Sequence, residues 1–363
     1  MNDQQETYQA HKQTGLLLNA NEASENLSEE LVSELQAMLP DILFNRYPED
    51  ACTELKKQYG KQMGLPENMI ICGNGSDQML QLLITSFLSE GKTLFTLSPD
   101  FSMYDFYVSA IGGNVKRYPL LSPQISLNET VFDVDDFIHK ARESGADLVM
   151  FSNPNNPTGL MISPEEVSRI AKALAPVPVV LDEAYMEFGE DSALDLLNTP
   201  EHENLYITRT LSKAFSLAGL RVGFLISSPE NIAALDPKRP VYNLNSFSSA
   251  AACRVLAHAD EFAEKTRKVI GERKRLIDRI SQMNHLTCTD SKGNFIPVSI
   301  CHDSFEIRKD LVEQLVNAFD EQGITIRNYP GRDYLRITVG LEDENNRTIQ
   351  ILEDFNRMLE EER

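Results

Sequence analysis

The sequence has no tryptophan, and its five cysteines, Cys52, Cys72, Cys253, Cys288 and Cys301, are scattered and odd in number. No CxxC pair occurs among them, so neither a zinc site nor a disulfide framework is indicated, and no metal is expected. No apolar run approaches the roughly 18 residues of a membrane span. The opening stretch, MNDQQETYQAHKQTG, holds no signal-like apolar core. A cytoplasmic protein without a membrane partner is the expectation. Positive charge is also short: 34 Lys and Arg against 55 Asp and Glu leave a formal net charge of -21. That disfavours nucleic acid and anionic bilayers as main partners, since both select basic surfaces. It does not exclude small anionic ligands, because a local arginine cluster can oppose the global field. Two nucleotide signatures are missing as well. No Gly-Lys-Ser/Thr closes a Walker loop, and no GxGxxG marks a dinucleotide site, which disfavours a dehydrogenase.

What is present is a globular composition, 42% hydrophobic and 25% charged over 363 residues, long enough for one large and one smaller domain. From about residue 69, strand-like and helix-like segments alternate. MIICG, KTLFTL, NVKRYPL, ADLVMFS, VPVVLDEAY, NLYITRT and VGFLISS read as strands, most of them followed by a stretch at helical spacing. Such alternation predicts an α/β domain with a mostly parallel sheet flanked by helices. Sites in these sheets lie beyond the carboxyl ends of the strands. After about residue 259 the texture changes. A long charged helix leads to NFIPVSI, GITIRN and YLRITVG, two or three strands with helices on one side, which suggests a smaller α+β domain. The expected division is an N-terminal arm, residues 1–40, joining the smaller domain; a large domain, residues 41–255; and the smaller domain, residues 256–363.

Four loops after predicted strands hold the candidate chemistry. "CGNGSDQ" (Cys72–Gln78) offers glycines and free helix amides to an anion, or is a plain turn capped by Ser76 or Asp77. "SNPNNPTG" (Ser152–Gly159) holds Asn155 and Asn156 in a proline-fixed loop, either for a ligand oxygen or as an elaborate turn. "LDEAYMEF" (Leu181–Phe188) ends a buried strand on a carboxylate, which is costly unless paired; Asp182 either holds a cation or sits solvated in a loop. "TRTLSKAFSLAGLRVGF" (Thr208–Phe224) sets Lys213 among small and apolar residues, with Arg221 behind it. Lys213 is either an ordinary solvated lysine or one desolvated enough to attack a carbonyl.

Taken in order, these loops resemble those of the pyridoxal-phosphate enzymes of the aspartate aminotransferase type, a fold-type I architecture. The resemblance spans nearly the whole chain. It is closest to the histidinol-phosphate aminotransferases, through "TYQAHKQTG", "LLLNANE", "NRYPE", "PDFSMY", "RTLSKAFSLAGLRVGF" and "LRITVG". It implies that Lys213 bonds the cofactor aldehyde as an imine and later moves the substrate proton. It implies that Asp182 keeps the pyridine nitrogen protonated and that Tyr185 and Asn156 hold the ring hydroxyl. Tyr104 matches a ring-stacking aromatic. Gly75, Ser76, Asp77, Ser212 and Arg221 match the phosphate site, which Tyr47 completes from the partner subunit of a homodimer with shared active sites. Tyr8, Asn21, Arg327 and Arg336 match positions facing the substrate, a small anionic amino acid or phosphate ester. The implied reaction moves an amino group between histidinol phosphate and 2-oxoglutarate. A threonine-phosphate decarboxylase and an aromatic or general amino-acid aminotransferase are the alternatives on the same scaffold. Two departures stand out: Gln78 occupies a position where an acid is usual, and Arg332 lies in a short stretch between Asn328 and Tyr334.

Overall fold

The computed structural model describes residues 14–122, 124 and 126–361. Among them, twelve strands form two sheets. The first, β1 (Leu16–Leu18), lies in the smaller sheet. The larger sheet contains β2 (Ile70–Asn74), β3 (Thr93–Ser98), β4 (Asn114–Pro119), β5 (Leu148–Ser152), β6 (Val179–Asp182), β7 (Leu205–Thr210) and β8 (Val222–Ile226). Its order is β2-β8-β7-β6-β5-β3-β4. Neighbouring strands from β7 to β4 run parallel, whereas β8 is antiparallel to both β7 and β2.

Helices cover both faces of this sheet, which is why every residue of β5, β7 and β8 is buried. The helices start where local chemistry dictates. Ser163 and Glu166 form a capping box, with Pro164 in the first turn, to begin the helix Pro164–Leu174. One consequence of the topology matters most. Asp182 is paired in register with both Ser152 and Thr208, and Gly223 with both Thr210 and Gly73. The ends of β5, β6 and β7, the start of β8 and the end of β2 therefore meet at one edge of the sheet.

The smaller sheet adds β9 (Leu286–Cys288), β10 (Phe295–Ile300), β11 (Ile324–Asn328) and β12 (Tyr334–Thr338), in the order β1-β11-β12-β10-β9. It has five strands where the sequence pattern suggested two or three. Two of them, β1 and β9, are three residues long, too short to leave an alternation signal. The arm divides differently from the expected boundary. β1 pairs in parallel with β11, but the helix Glu29–Met38 buries Leu31 in the core of the larger domain. The long helix Ala259–Ile280 likewise serves both cores, with Phe262 in one and Leu276 and Ile280 in the other. Among the described residues, no helix is long and apolar enough to cross a membrane.

Candidate active site

A cavity of about 530 Å³ opens at the carboxyl edge of the larger sheet. Its floor comes from the larger domain, and Asn19, Ala20, Arg327, Tyr329 and Arg336 close it from the arm and the smaller sheet. Lys213 projects into it from the turn after β7. Its Nζ donates to the Ala20 carbonyl at 2.8 Å and lies 5.7 Å from the centre of the Tyr185 ring. Burial first, then the positive charge of Arg336, lowers the amine to about 8 from its ordinary value. A lysine so placed is partly neutral at physiological pH and able to attack a carbonyl.

Asp182, the last residue of β6, is 3% exposed. The Thr208 hydroxyl donates to its Oδ1 at 3.1 Å and the Tyr104 hydroxyl to its Oδ2 at 3.0 Å. Burial pushes the carboxyl up to about 6. Among the described residues no cation pairs with it, so it has the character of a carboxylate waiting for a positive ligand atom.

The expectation for Tyr104 is corrected here. Tyr104 is 1% exposed and sits behind Asp182, its hydroxyl spent on that carboxylate, and it is not on the cavity wall. The wall aromatic from the same "PDFSMY" stretch is Phe101, which stands edge-on to Tyr104 with ring centres 5.7 Å apart. Helical phase explains the exchange. Tyr104 lies in the first turn of the helix Met103–Ala110 and turns toward the sheet, whereas Phe101 precedes the helix in the loop.

At the opposite wall the Tyr185 hydroxyl accepts from Asn156 Nδ2 at 3.4 Å and from Asn21 Nδ2 at 3.1 Å. Asn21 is fully buried, with φ at 54°, and Thr338 donates to its Oδ1 at 3.2 Å. Its side chain thus orients Tyr185 and does not itself face the cavity, contrary to the substrate-contacting expectation. Arg336, 5% exposed, donates from Nη1 to Asn156 Oδ1 and from Nη2 to the Asn19 carbonyl at 2.7 Å. Its Nε is buried without a hydrogen-bond partner. Arg327 pairs in register with Arg336 across β11 and β12, and its guanidinium lies 5.3 Å from the Tyr329 ring centre.

The candidate anion-binding end is built on the helix Gly75–Phe87. Ser76, Asp77, Ser212 and Arg221 line it. Arg221 Nη2 pairs with Asp77 at 2.8 Å, and Nη1 donates to Ser212 Oγ at 3.4 Å. With that carboxylate committed, Asp77 offers an anion its backbone N–H in the first helical turn. Gly75 has φ at +77°, and a Cβ there would lie 2.7 Å from Arg221 Nη2. Gly223 was not singled out from the sequence, yet a Cβ on it would lie 2.2 Å from Ser76 N. The motif glycine is what lets β8 approach the loop. The departure at Gln78 is also explained. Its Oε1 accepts from Asn74 N and Asn243 Nδ2, both at 2.8 Å, so an uncharged amide oxygen suffices. Arg332 is exposed and off the cavity wall.

Two expected residues are not in this cavity. Tyr47 is 81% exposed and stacks on Tyr242 with ring centres 4.7 Å apart. Tyr8 lies outside the described residues.

The donor set matches pyridoxal phosphate group by group. There is a partly neutral lysine for an aldehyde, an unpaired buried carboxylate for a ring nitrogen and hydroxyl and amide groups for a ring oxygen. A helix N-terminus with an arginine suits the phosphate. The unpartnered Arg336 Nε leaves a further place for an anionic substrate group. These features on this fold define a class of group-transfer enzyme. The chain belongs to the family "Aminotransferase class I and II", whose model matches residues 13–350. Among its relatives, the histidinol-phosphate aminotransferase of Clostridium novyi (strain NT) is 34% identical over 342 residues, covering 93% of this chain and 91% of that protein. The crystal structure of histidinol-phosphate aminotransferase from Sinorhizobium meliloti, in complex with pyridoxal-5'-phosphate, superposes with a TM-score of 0.83 at 24% identity, covering 95% and 92% of the two chains. That of L-threonine-O-3-phosphate decarboxylase from Porphyromonas gingivalis superposes at 0.76 with 20% identity, covering 94% and 99%. At such identities the two superpositions speak to the fold alone.

Proposed function

We propose that this chain uses pyridoxal phosphate to transfer an amino group between histidinol phosphate and 2-oxoglutarate. The reading rests on one observation above the others: Lys213 and the incompletely satisfied Arg336 guanidinium line the same cavity. The first suits proton transfer and the second suits an anionic substrate end. The relative named above supports this substrate: a histidinol-phosphate aminotransferase is 34% identical over 342 residues, nine-tenths of the chain.

Each residue then has a task. Ser76, Ser212 and Arg221 would hold the cofactor phosphate, and Phe101 would cover one face of the ring. Asp182 would hold the proton on the pyridine nitrogen. The Tyr185 hydroxyl and Asn156 amide would fix the ring oxygen. When bound, the cofactor supplies an electron sink for the pair left at the substrate carbon. Lys213 Nζ would take the proton from that carbon, a transfer matched by an amine near 8. Arg336, with Arg327 beside it, orients the substrate through its anionic group; Tyr8 belongs to the same proposed subsite.

The site is proposed to work in a homodimer, with Tyr47 reaching the partner's phosphate. Leu43, Phe44, Tyr47 and Val241 are all more than 60% exposed, an apolar group that a second copy would cover. Small soluble substrates go with a cytoplasmic location. The test is product identification. Holoprotein given histidinol phosphate and 2-oxoglutarate is expected to form glutamate. Release of carbon dioxide from threonine phosphate without glutamate formation would replace this reading with the lyase.

A further inference from the structure

Beside Asp182 the cavity wall holds a second carboxyl group, Asp100, just beyond the end of β3. Its Oδ1 accepts from Phe101 N at 2.7 Å and from the Ser152 hydroxyl. Its Oδ2 accepts from Ser152 N at 3.2 Å and from the Thr96 hydroxyl at 3.4 Å. Ser152 Oγ in turn accepts from Asn156 N at 2.9 Å and from Asn155 Nδ2 at 3.4 Å. Asn156 then holds Arg336 and touches the Tyr185 hydroxyl.

These bonds form one chain. Phe101 and Asn156 come from different loops, after β3 and after β5, and they define a face and an edge of the ring site. Without a link the loops could shift independently, and the register between ring and substrate anion would be lost. Asp100 is the link: it fixes the backbone at Phe101 and, through Ser152, the backbone at Asn156.

We propose that Asp100 is a positioning residue of the reaction, clamping the Phe101 wall to the Asn156 loop so that Arg336 meets the substrate's anionic end in a fixed place. The inference rests on the amino-transfer reading given above. The charged and titratable groups facing Asp100 are Asp182 from β6 and the Tyr104 hydroxyl from the following helix. Burial, with the Asp182 charge adding to it, raises Asp100 to about 8.

Asp100→Ala and Asp100→Asn holoproteins test this. Asp100→Ala is expected to raise the KM for 2-oxoglutarate about tenfold or more while changing kcat by less than about threefold. It is also expected to move the pH midpoint of the bound cofactor's absorption, which is read without substrate. Asp100→Asn retains an acceptor oxygen for Phe101 N and the Ser152 hydroxyl and is expected to restore KM. If Asp100→Ala does not fold, Ser152→Ala cuts the same chain from its other end and should give the same KM split. An unchanged KM in a folded Ala variant overturns the proposal. So does a parallel fall of kcat, cofactor retention and thermal stability that Asp100→Asn fails to repair, since that pattern marks a brace and not a positioning contact. Failure of the wild type to use histidinol phosphate would overturn the amino-transfer reading instead, and the substrate-free absorption midpoint would still report on the clamp.

Discussion

Lys213 and Asp182 are opposite cases of a charge held out of water, and each leads to a measurable sign. Only the neutral amine of Lys213 can capture an aldehyde, so the rate at which cofactor-free protein binds pyridoxal phosphate should rise with pH through a midpoint near 8. Arg336→Gln removes a positive neighbour, stabilises the protonated amine and should shift that midpoint upward in stopped-flow absorbance. A wild-type midpoint above 10 would contradict the desolvated lysine. Asp182 is raised from 3.8 to about 6, so the folded protein binds its proton more tightly than the unfolded chain. Stability of the cofactor-free form should therefore fall as pH rises from about 4 to 6, with the whole penalty, about 3 kcal/mol, present above pH 6. Asp182→Asn should stabilise the cofactor-free protein in denaturant titrations at pH 7 and flatten that dependence, while costing at least about 100-fold in turnover. Lys213, Asp182 and Arg221 were legible because each stands in a short motif beside a strand end, and Arg336 because it stands within "LRITVG". The stacking aromatic was not, because "PDFSMY" holds candidates on either side of a helix start and only the phase of the helix decides between them. Asp100 and Ser152 were not legible either, since their partners lie on separate strands.

Elements were legible in proportion to their length. The strands of the larger sheet and the helices Gly75–Phe87, Pro164–Leu174 and Phe305–Glu321 carry clear periodicity or caps. β1 shows no such signal, and its place beside β11 depends on a pairing more than 300 residues away in sequence. The passage between the two cores left no mark in the sequence for a related reason. The helix Ala259–Ile280 keeps one amphipathic pattern while it passes from one core to the other, so no composition change marks the crossing. At the anion site the junction of β2, β8 and the helix Gly75–Phe87 is set by backbone contact. Gly223→Ala would bring a Cβ to 2.2 Å from Ser76 N and 2.3 Å from the Gly75 carbonyl carbon. Because backbone and not a flexible side chain is met, the loop has to move, and with it the Ser76 N–H that would hold the phosphate. Cofactor affinity should fall about 10- to 100-fold in a fluorescence titration while the far-UV spectrum stays unchanged. Unaltered affinity would show that the close approach is not what holds the loop.

For the whole molecule, the net charge of -21 sets the background against which the cavity works. A phosphate ester is repelled by that field until it reaches Arg221, Arg327 and Arg336, so the clustered guanidinium groups have to supply the local attraction. Tyr47 belongs to this scale too, because it does not line its own cavity and is exposed, as Leu43, Phe44 and Val241 are. Mixing inactive Tyr47→Ala and Lys213→Ala proteins under conditions of verified subunit exchange should restore activity. A heterodimer with shared sites has one site carrying both changes and one carrying neither. Absence of recovery would mean that Tyr47 serves its own subunit.

The assignment of Lys213 as the residue that bonds the cofactor is what every other role in the site depends on. It is tested most directly by reducing the holoprotein with borohydride and mapping the labelled peptide. The expected result is a single pyridoxyl label on Lys213, absent from Lys213→Ala even though that variant retains cofactor through Arg221 and Ser76. A label on another lysine, or none in a protein that still transfers amino groups, would contradict the placement of the chemistry at the end of β7.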